Sequence, residues 1–327
     1  MCLVDKKIQD LLALATELLA EPVQLVKITG GGNHGLLHLT AKTGEYALKY
    51  DPLPAGDGRD RIANEWQAIA FMWQQGVRVV PQPVAWRQEE RCALYGWVRG
   101  EPIREVDAGV VAAMGAFLQQ LTALQDDPVA QTLPLASDAF VSPAHAAQQV
   151  ERRRQRLLQE GEGLESFLLQ EFTPIMEQVV AVAQQALGEI WQHPSPLMLS
   201  PSDFGIHNMM RRNDGEIVFL DMDYFGWDDP AKLTSDVLWH PAMHLSPAMQ
   251  QHWLTMVRGW VADLSGWSQR WQVLHPLNGL IWCLILLNPF TPTGWHRLAY
   301  GGNRQELLAK RLEQARLRLQ TLTKAQP

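Results

Sequence analysis

Cysteine is scarce in this 327-residue chain: Cys2, Cys92 and Cys283 are the whole complement. Their number is odd, their spacing is wide and no Cys-x-x-Cys pair occurs, which excludes a disulfide-stapled scaffold and a structural zinc site. Reduced thiols fit a cytoplasmic protein. An excess of positive charge is also missing. Lys and Arg number 28 against 35 Asp and Glu, a formal net charge of −7. With no basic stripe to hold a nucleic-acid backbone, no nucleic-acid partner is expected. The acidic balance reads as a solubility charge, with steering of cationic substrates as the alternative. Long apolar runs are absent too. The longest, Gly279 to Leu287, is about half of the ~20 residues that cross a bilayer; it reads as a buried core helix ending at Asn288-Pro289, and no membrane partner is expected. Asp5, Lys6, Lys7 and Asp10 precede any apolar run, the wrong order for a secretory signal. There is no internal repeat and no low-complexity segment. What remains, 46% hydrophobic and 19% charged, is an ordinary globular composition, long enough for one large or two moderate domains.

The most informative stretch runs from Ser202 to Asp223. Asp203 and Asn208 stand five residues apart, and Asp221 follows Asn208 by thirteen, at the end of the β-type run Ile217-Val218-Phe219-Leu220. Phosphoryl transfer of the kinase type needs an Asp near the attacking hydroxyl, an Asn on magnesium and a further Asp that bridges magnesium to the phosphates. Oxygen donors of this kind suit a hard cation such as Mg²⁺. Upstream, Tyr46-Ala47-Leu48-Lys49 reads as a strand ending in lysine. Glu65 follows sixteen residues later in a segment with apolar residues at helical spacing, Ile62, Trp66, Ile69, Ala70 and Trp73. A helical Glu65 is positioned to pair with Lys49 and aim its ammonium at nucleotide phosphates. Thr29-Gly30-Gly31-Gly32-Asn33-His34-Gly35 lies between two β-type runs, and glycines let backbone N–H groups approach phosphates.

On these residues the chain resembles the aminoglycoside phosphotransferase family, also called the choline kinase-like or phosphotransferase enzyme family. The resemblance extends from about Val23 to Pro241, and Gly226-Trp227-Asp228-Asp229-Pro230 echoes the family's downstream Gly-Asp-Pro segment. It implies an α+β, bilobal protein kinase-like fold: a small antiparallel-sheet N-lobe with one helix over residues 1–98, and a larger, mainly helical C-lobe over 99–327. It further implies transfer of the γ-phosphoryl group of ATP, or sometimes GTP, to a hydroxyl of a small-molecule acceptor, with Mg²⁺. Asp203 then orients or deprotonates the hydroxyl, Lys49 holds the phosphates with Glu65 behind it, and Asn208 and Asp221 hold the metal. Gly31 and Gly32 approach the phosphates, and the connector containing Tyr95, Trp97 and Val98 meets the adenine edge through its backbone. Two departures mark a divergent branch. Pro201-Ser202-Asp203 replaces the usual His-Gly-Asp, and Leu233 stands where an Asp often follows the Gly-Asp-Pro proline, with Asp236 further on.

Several residues have two readings. His207 lines the substrate site or is a hydrogen-bonding loop histidine. Asp223 assists metal or substrate binding or pairs with a basic residue. Asp228, with Asp229, binds a substrate amine or serves the helix that starts at Pro230, where carboxylates are favoured; the helix reading is preferred. Glu151-Arg152-Arg153-Arg154-Gln155-Arg156 is a solvated helix face or, less simply, a phosphate- or partner-binding patch. Nine of the 13 tryptophans follow residue 190, as core and rim packing or as a platform for a sugar or a cation. Two other functions compete: a nucleotide-binding pseudokinase, and a metal-dependent hydrolase built on Asp203, His207, Asp221 and Asp223. The second leaves Lys49 and Glu65 unexplained. The sequence does not specify the acceptor or the oligomeric state.

Overall fold

The computed structural model describes residues 3–31, 34–51, 60–261, 266–298 and 302–324. The chain divides into two compact units: Met1–Arg104, Asp126–Leu133 and His207–Phe225 form the first, and Glu105–Gln125, Pro134–Ile206 and Gly226–Pro327 the second. The single cut expected at residue 98 is thus a discontinuous one, with the segment that carries Asn208 and Asp221 counted in the first unit.

In the first unit, α1 (Leu3–Leu19) precedes β1 (Gln24–Gly31), β2 (His34–Ala41), β3 (Gly44–Tyr50), α2 (Arg61–Gln74), β4 (Pro83–Arg87) and β5 (Cys92–Gly96). The strands form one antiparallel sheet in the order β1-β2-β3-β5-β4. Alternation decides its faces. Leu37, Leu39, Leu48, Tyr50, Cys92 and Leu94 join Ile8, Leu11 and Ala15 of α1 in one buried cluster, so Lys49, between Leu48 and Tyr50, belongs to the opposite face. Gly35 is required at the edge of this cluster. A Cβ there would fall 2.2 Å from the Tyr50 ring. β4 starts only at Pro83, because Pro81 and Pro83 have no N–H to donate; the Val79 carbonyl accepts from Phe219 N at 2.8 Å. A second small sheet joins β6 (Glu101–Pro102) to the hairpin of β8 (Met209–Arg211) and β9 (Ile217–Phe219).

The second unit is mainly helical, with α3 (Ala108–Ala123), α4 (Pro143–Glu160), α5 (Thr173–Leu187), α6 (Pro230–Trp239), α7 (Pro247–Trp260), α8 (Trp267–Leu286), α9 (Pro292–Arg297) and α10 (Arg304–Lys324), plus one strand pair, β7 (Met198–Ser200) with β10 (Gly226–Asp228). Asp107 caps α3 by accepting from Val110 N at 2.7 Å. The stretch Trp267–Phe290 is long and apolar enough to cross a membrane by length and composition, but 72% of its window is buried inside the protein; α8 is the core helix around which α4, α5, α6 and α10 pack. Of the late tryptophans, Trp253 is fully buried and Trp191 and Trp267 nearly so, which favours packing over a platform for these three. The arginine run is not a plain solvated face either. Arg153 pairs with Asp138 at 2.6 Å, Arg154 with Glu151 at 2.7 Å, and Arg156 donates to Asn288 at 2.6 Å. Cys92 and Cys283 are free and buried; burial pushes their thiols up to about 11 and about 12. Cys2 lies outside the described residues.

Candidate active site

Lys49 sits at the centre of the first unit's chemistry. Its Nζ lies 2.7 Å from Glu65 Oε2 and 2.6 Å from Asp221 Oδ1. Strand and helix bring the first pair together. β3 register sets Lys49 between Leu36 and Ala93, and α2 begins where Asp60 accepts from Ala63 N at 3.0 Å, which sets Glu65 one turn in. Burial opposes the Lys49 charge, but Glu65, Asp221 and Asp223 together outweigh it and hold the ammonium above its ordinary value. Burial pushes the Glu65 carboxyl up, against the pull of Lys49.

The β8–β9 hairpin brings Asn208 and Asp221 together across thirteen residues of chain. Asn213-Asp214-Gly215 supplies its turn, with Gly215 at φ +89°. The register Met209↔Phe219 then puts Asn208 opposite Leu220, whose N–H donates to the Asn208 carbonyl at 2.7 Å. Asp221 leaves the strand in the left-handed region, at φ +59°, a conformation that costs a non-glycine residue on the order of 1–2 kcal/mol and recurs at functional sites. Its side chain is 40% exposed, against 4% for Glu65.

These groups line one cavity of about 490 Å³, inside the ~300–1,000 Å³ range of small-molecule sites. Lys49, Glu65, Tyr95, Trp97, Val98, His207, Asn208 and Asp221 all contribute, with Thr29, His34, Leu36, Ala47, Pro81, Gly96, Met210 and Leu220 completing the wall. The Tyr95 hydroxyl is buried without a hydrogen-bond partner among the described residues. The Trp97 ring stacks on His38 at 3.7 Å. Gly31 pairs with His34 at the end of the β1–β2 ladder, and Gly32 lies outside the described residues.

Asp223 is buried behind this wall. His34 Nε2 lies 3.2 Å from its Oδ2, and Arg61 Nε 3.9 Å, so the pairing reading applies. Burial raises its carboxyl against the His34 hydrogen bond. The other ring nitrogen of His34 lies 2.8 Å from Asp51, which Arg91 also holds, at 2.5 Å. The role of His34 as a tie between two carboxylates has no signal in local spacing. Leu36 and Ala47 could have been found by alternation, as the Lys49 face of β2 and β3.

Residues 26–256 match the model of the Phosphotransferase enzyme family. The chain belongs to this family. A search of curated proteins finds no significant sequence match. Among solved structures, a choline/ethanolamine kinase family protein from Mesorhizobium loti is similar over 98% of this chain and 97% of its own, at TM-score 0.64 and 14% identity. Choline kinase LicA from Streptococcus pneumoniae is similar over 96% and 99%, at TM-score 0.61 and 11% identity. The ADP-bound aminoglycoside phosphotransferase APH(2'')-Ib is similar over 95% and 97%, at TM-score 0.60 and 14% identity. At these identities the likeness shows the fold, the kinase-like α+β arrangement expected from the sequence.

In this phosphotransferase-family chain the second unit carries the remaining predicted residues. Asp203 lies on the loop after β7, and its Oδ1 is 3.4 Å from His240 Nε2. Asp228, considered as a substrate contact, is corrected by its burial. It is fully buried, accepts from Phe140 N at 2.8 Å and pairs with Lys232 at 2.9 Å. Burial raises its carboxyl to about 6 despite Lys232. Asp229 accepts from Ala231 N at 2.8 Å as the cap of α6 and meets Arg270 at 3.2 Å.

Proposed function

We propose that this chain is an ATP- and Mg²⁺-dependent small-molecule kinase that transfers the γ-phosphoryl group to a hydroxyl of a sugar, an amino alcohol or an aminoglycoside-like acceptor. GTP is the alternative donor, and the cytoplasm is the proposed compartment. One observation carries the reading: a lysine clamped between a buried glutamate and a half-exposed aspartate on the wall of a cavity, with Asn208 set beside that aspartate by hairpin register. Lys49 neutralises phosphate charge, and Glu65 holds its ammonium in place. The donors of Asn208 and Asp221 are hard oxygens, and Asp221 is open enough to reach a ligand; the pair fits Mg²⁺. Bound there, the ion would neutralise charge that develops on the phosphates. Gly96, Trp97 and Val98 line the same cavity, and their backbone would meet the base. Asp203 orients the acceptor hydroxyl or takes its proton. Transfer needs no covalent enzyme intermediate, since positioning and charge neutralisation supply the catalysis.

Thermal shift with ATP, GTP and Mg²⁺ on wild type and Asp221→Ala tests the nucleotide site, because a ligand that binds only the folded state raises the melting temperature. A Mg²⁺-dependent rise in wild type that is lost in Asp221→Ala is expected, and then an acceptor screen. No shift with either nucleotide at millimolar concentration would remove the kinase reading.

A further inference from the structure

Resting on that phosphotransferase reading, we infer that His240 is a positioning residue that holds the carboxylate of Asp203 through an Nε2–H donor. His240 ends α6, where its backbone N–H donates to the Asp236 carbonyl at 2.8 Å. Its Nδ1 accepts from Ala242 N at 3.1 Å. A backbone amide only donates, so Nδ1 carries no proton and the ring proton resides on Nε2. That nitrogen faces Asp203 Oδ1 at 3.4 Å, a separation that catalytic pairs often show before substrate tightens them.

The ring is held from behind. Trp282 meets it edge-on, with centroids 4.8 Å apart and planes at 72°. Trp282 is itself fixed by Nε1–H donation to Asp236 Oδ1 at 2.8 Å. Asp236 is anchored in turn by Asn278 at 2.8 Å and by Lys232 at 2.8 Å. This buried charge cluster ties α6 to α8 behind the His240 ring. The backbone before Asp203 is tied down separately, with Ser202 N donating to Ser200 Oγ at 3.1 Å and Ser202 Oγ to the Ser137 carbonyl at 3.3 Å. Loop and ring together would hold the Asp203 carboxylate in place, and a base fixed in advance costs no reorganisation when the reaction occurs.

The test combines kinetics and NMR on the full chain. His240→Leu removes the donor. His240→Gln keeps an N–H near the place of Nε2. Nucleotide turnover with water as acceptor makes the kinetic arm independent of the unknown alcohol. In His240→Leu, kcat should fall about tenfold or more, a part of the roughly 10²–10⁴ that a positioned base contributes, with the nucleotide KM unchanged and partial recovery in His240→Gln. Equal kcat in all three proteins would overturn the inference, as would a loss that Gln does not restore. ¹⁵N-histidine spectra should show His240 as the Nε2–H tautomer, with its signal moved by Asp203→Asn; an Nδ1–H tautomer, or a signal indifferent to Asp203→Asn, would also overturn it. A wild type that neither binds nor turns over nucleotide defeats the phosphotransferase reading and the positioning role with it, while the tautomer spectra still report whether the pair forms.

Discussion

Two lysines in this chain are each clamped by two carboxylates, and their surroundings make them different devices. Lys49 meets Glu65 at 2.7 Å and Asp221 at 2.6 Å. Lys232 meets Asp228 at 2.9 Å and Asp236 at 2.8 Å. The distances are nearly the same. The exposure is not: the Asp221 side chain is 40% exposed, whereas those of Asp228 and Asp236 are 0% and 10%. Around Lys232 both carboxylates are turned inward, and Asp236 Oδ1 is also taken by Asn278 and Trp282. That triad is a strut between β10 and α6, carried on to α8 by Asn278 and Trp282. In the first unit one carboxylate faces a cavity that Asn208 also lines, which leaves the cluster able to exchange a protein partner for a ligand. A lysine with two carboxylates is therefore not a site by itself. Solvent access to one of the three groups makes it a candidate.

The largest expected effect is on the strut. Lys232→Met leaves Asp228 and Asp236 buried without their cation and should cost about 3–5 kcal/mol in denaturant unfolding, the usual penalty for breaking a buried pair from one side. A loss below about 1 kcal/mol would break the comparison. Lys49→Met should act mainly on chemistry. Turnover should fall about 10²–10³-fold, the scale for removing a group that stabilises transition-state charge. Its melting temperature should change less than that of Lys232→Met, because Asp221 keeps solvent whereas Asp228 and Asp236 are buried. Equal destabilisation by the two substitutions would show that exposure does not separate them.

The acid side sharpens the contrast. His275 stacks on Trp239 at 4.8 Å and meets Trp271 at a tilt at 5.2 Å, and burial lowers its ring from 6.5 to about 4. Between those values the unfolded chain binds a proton that the folded chain refuses. Stability contributed by the neutral ring is therefore complete above pH 6.5 and falls as pH drops toward 4, by about 3 kcal/mol in all. His275→Phe should flatten that part of the stability profile; an unchanged profile would reassign the acid sensitivity. The smallest effect belongs to an exposed pair. Arg316 and Glu171 lie 2.7 Å apart with side chains 45% and 41% exposed, so Arg316→Ala should change unfolding free energy by less than about 1 kcal/mol. A larger loss would mean that distance, not exposure, ranks the ion pairs of this chain.

Much of the first unit is legible in local sequence pattern. The Lys49 strand and Glu65 helix follow from a period of two and a period near 3.6, and both periods are local. Asn208 and Asp221 meet because Asn213-Asp214-Gly215 is a hairpin turn, again a local signal. The spacing of Ile8, Leu11 and Ala15 by three and four residues is a helical one, and α1 buries all three. The second unit is less readable. Lys232 and its two aspartates are spaced like surface pairs at i, i+4, and nothing nearby marks them as buried. The arginine run looks solvated until Asp138 and Asn288 are seen to receive it.

By itself, the sequence determined the order of elements, the sheet faces, the helix caps and the Lys49, Glu65, Asn208 and Asp221 set, because each rests on residues within a few positions of one another or on the family pattern they spell out. Only the tertiary structure decided which carboxylates stay open to solvent, that His34 ties Asp51 to Asp223, and that His240 stands beside Asp203. Solvation and long-range pairing set the energy of a charge, and both depend on which distant segments the packed chain lays over it.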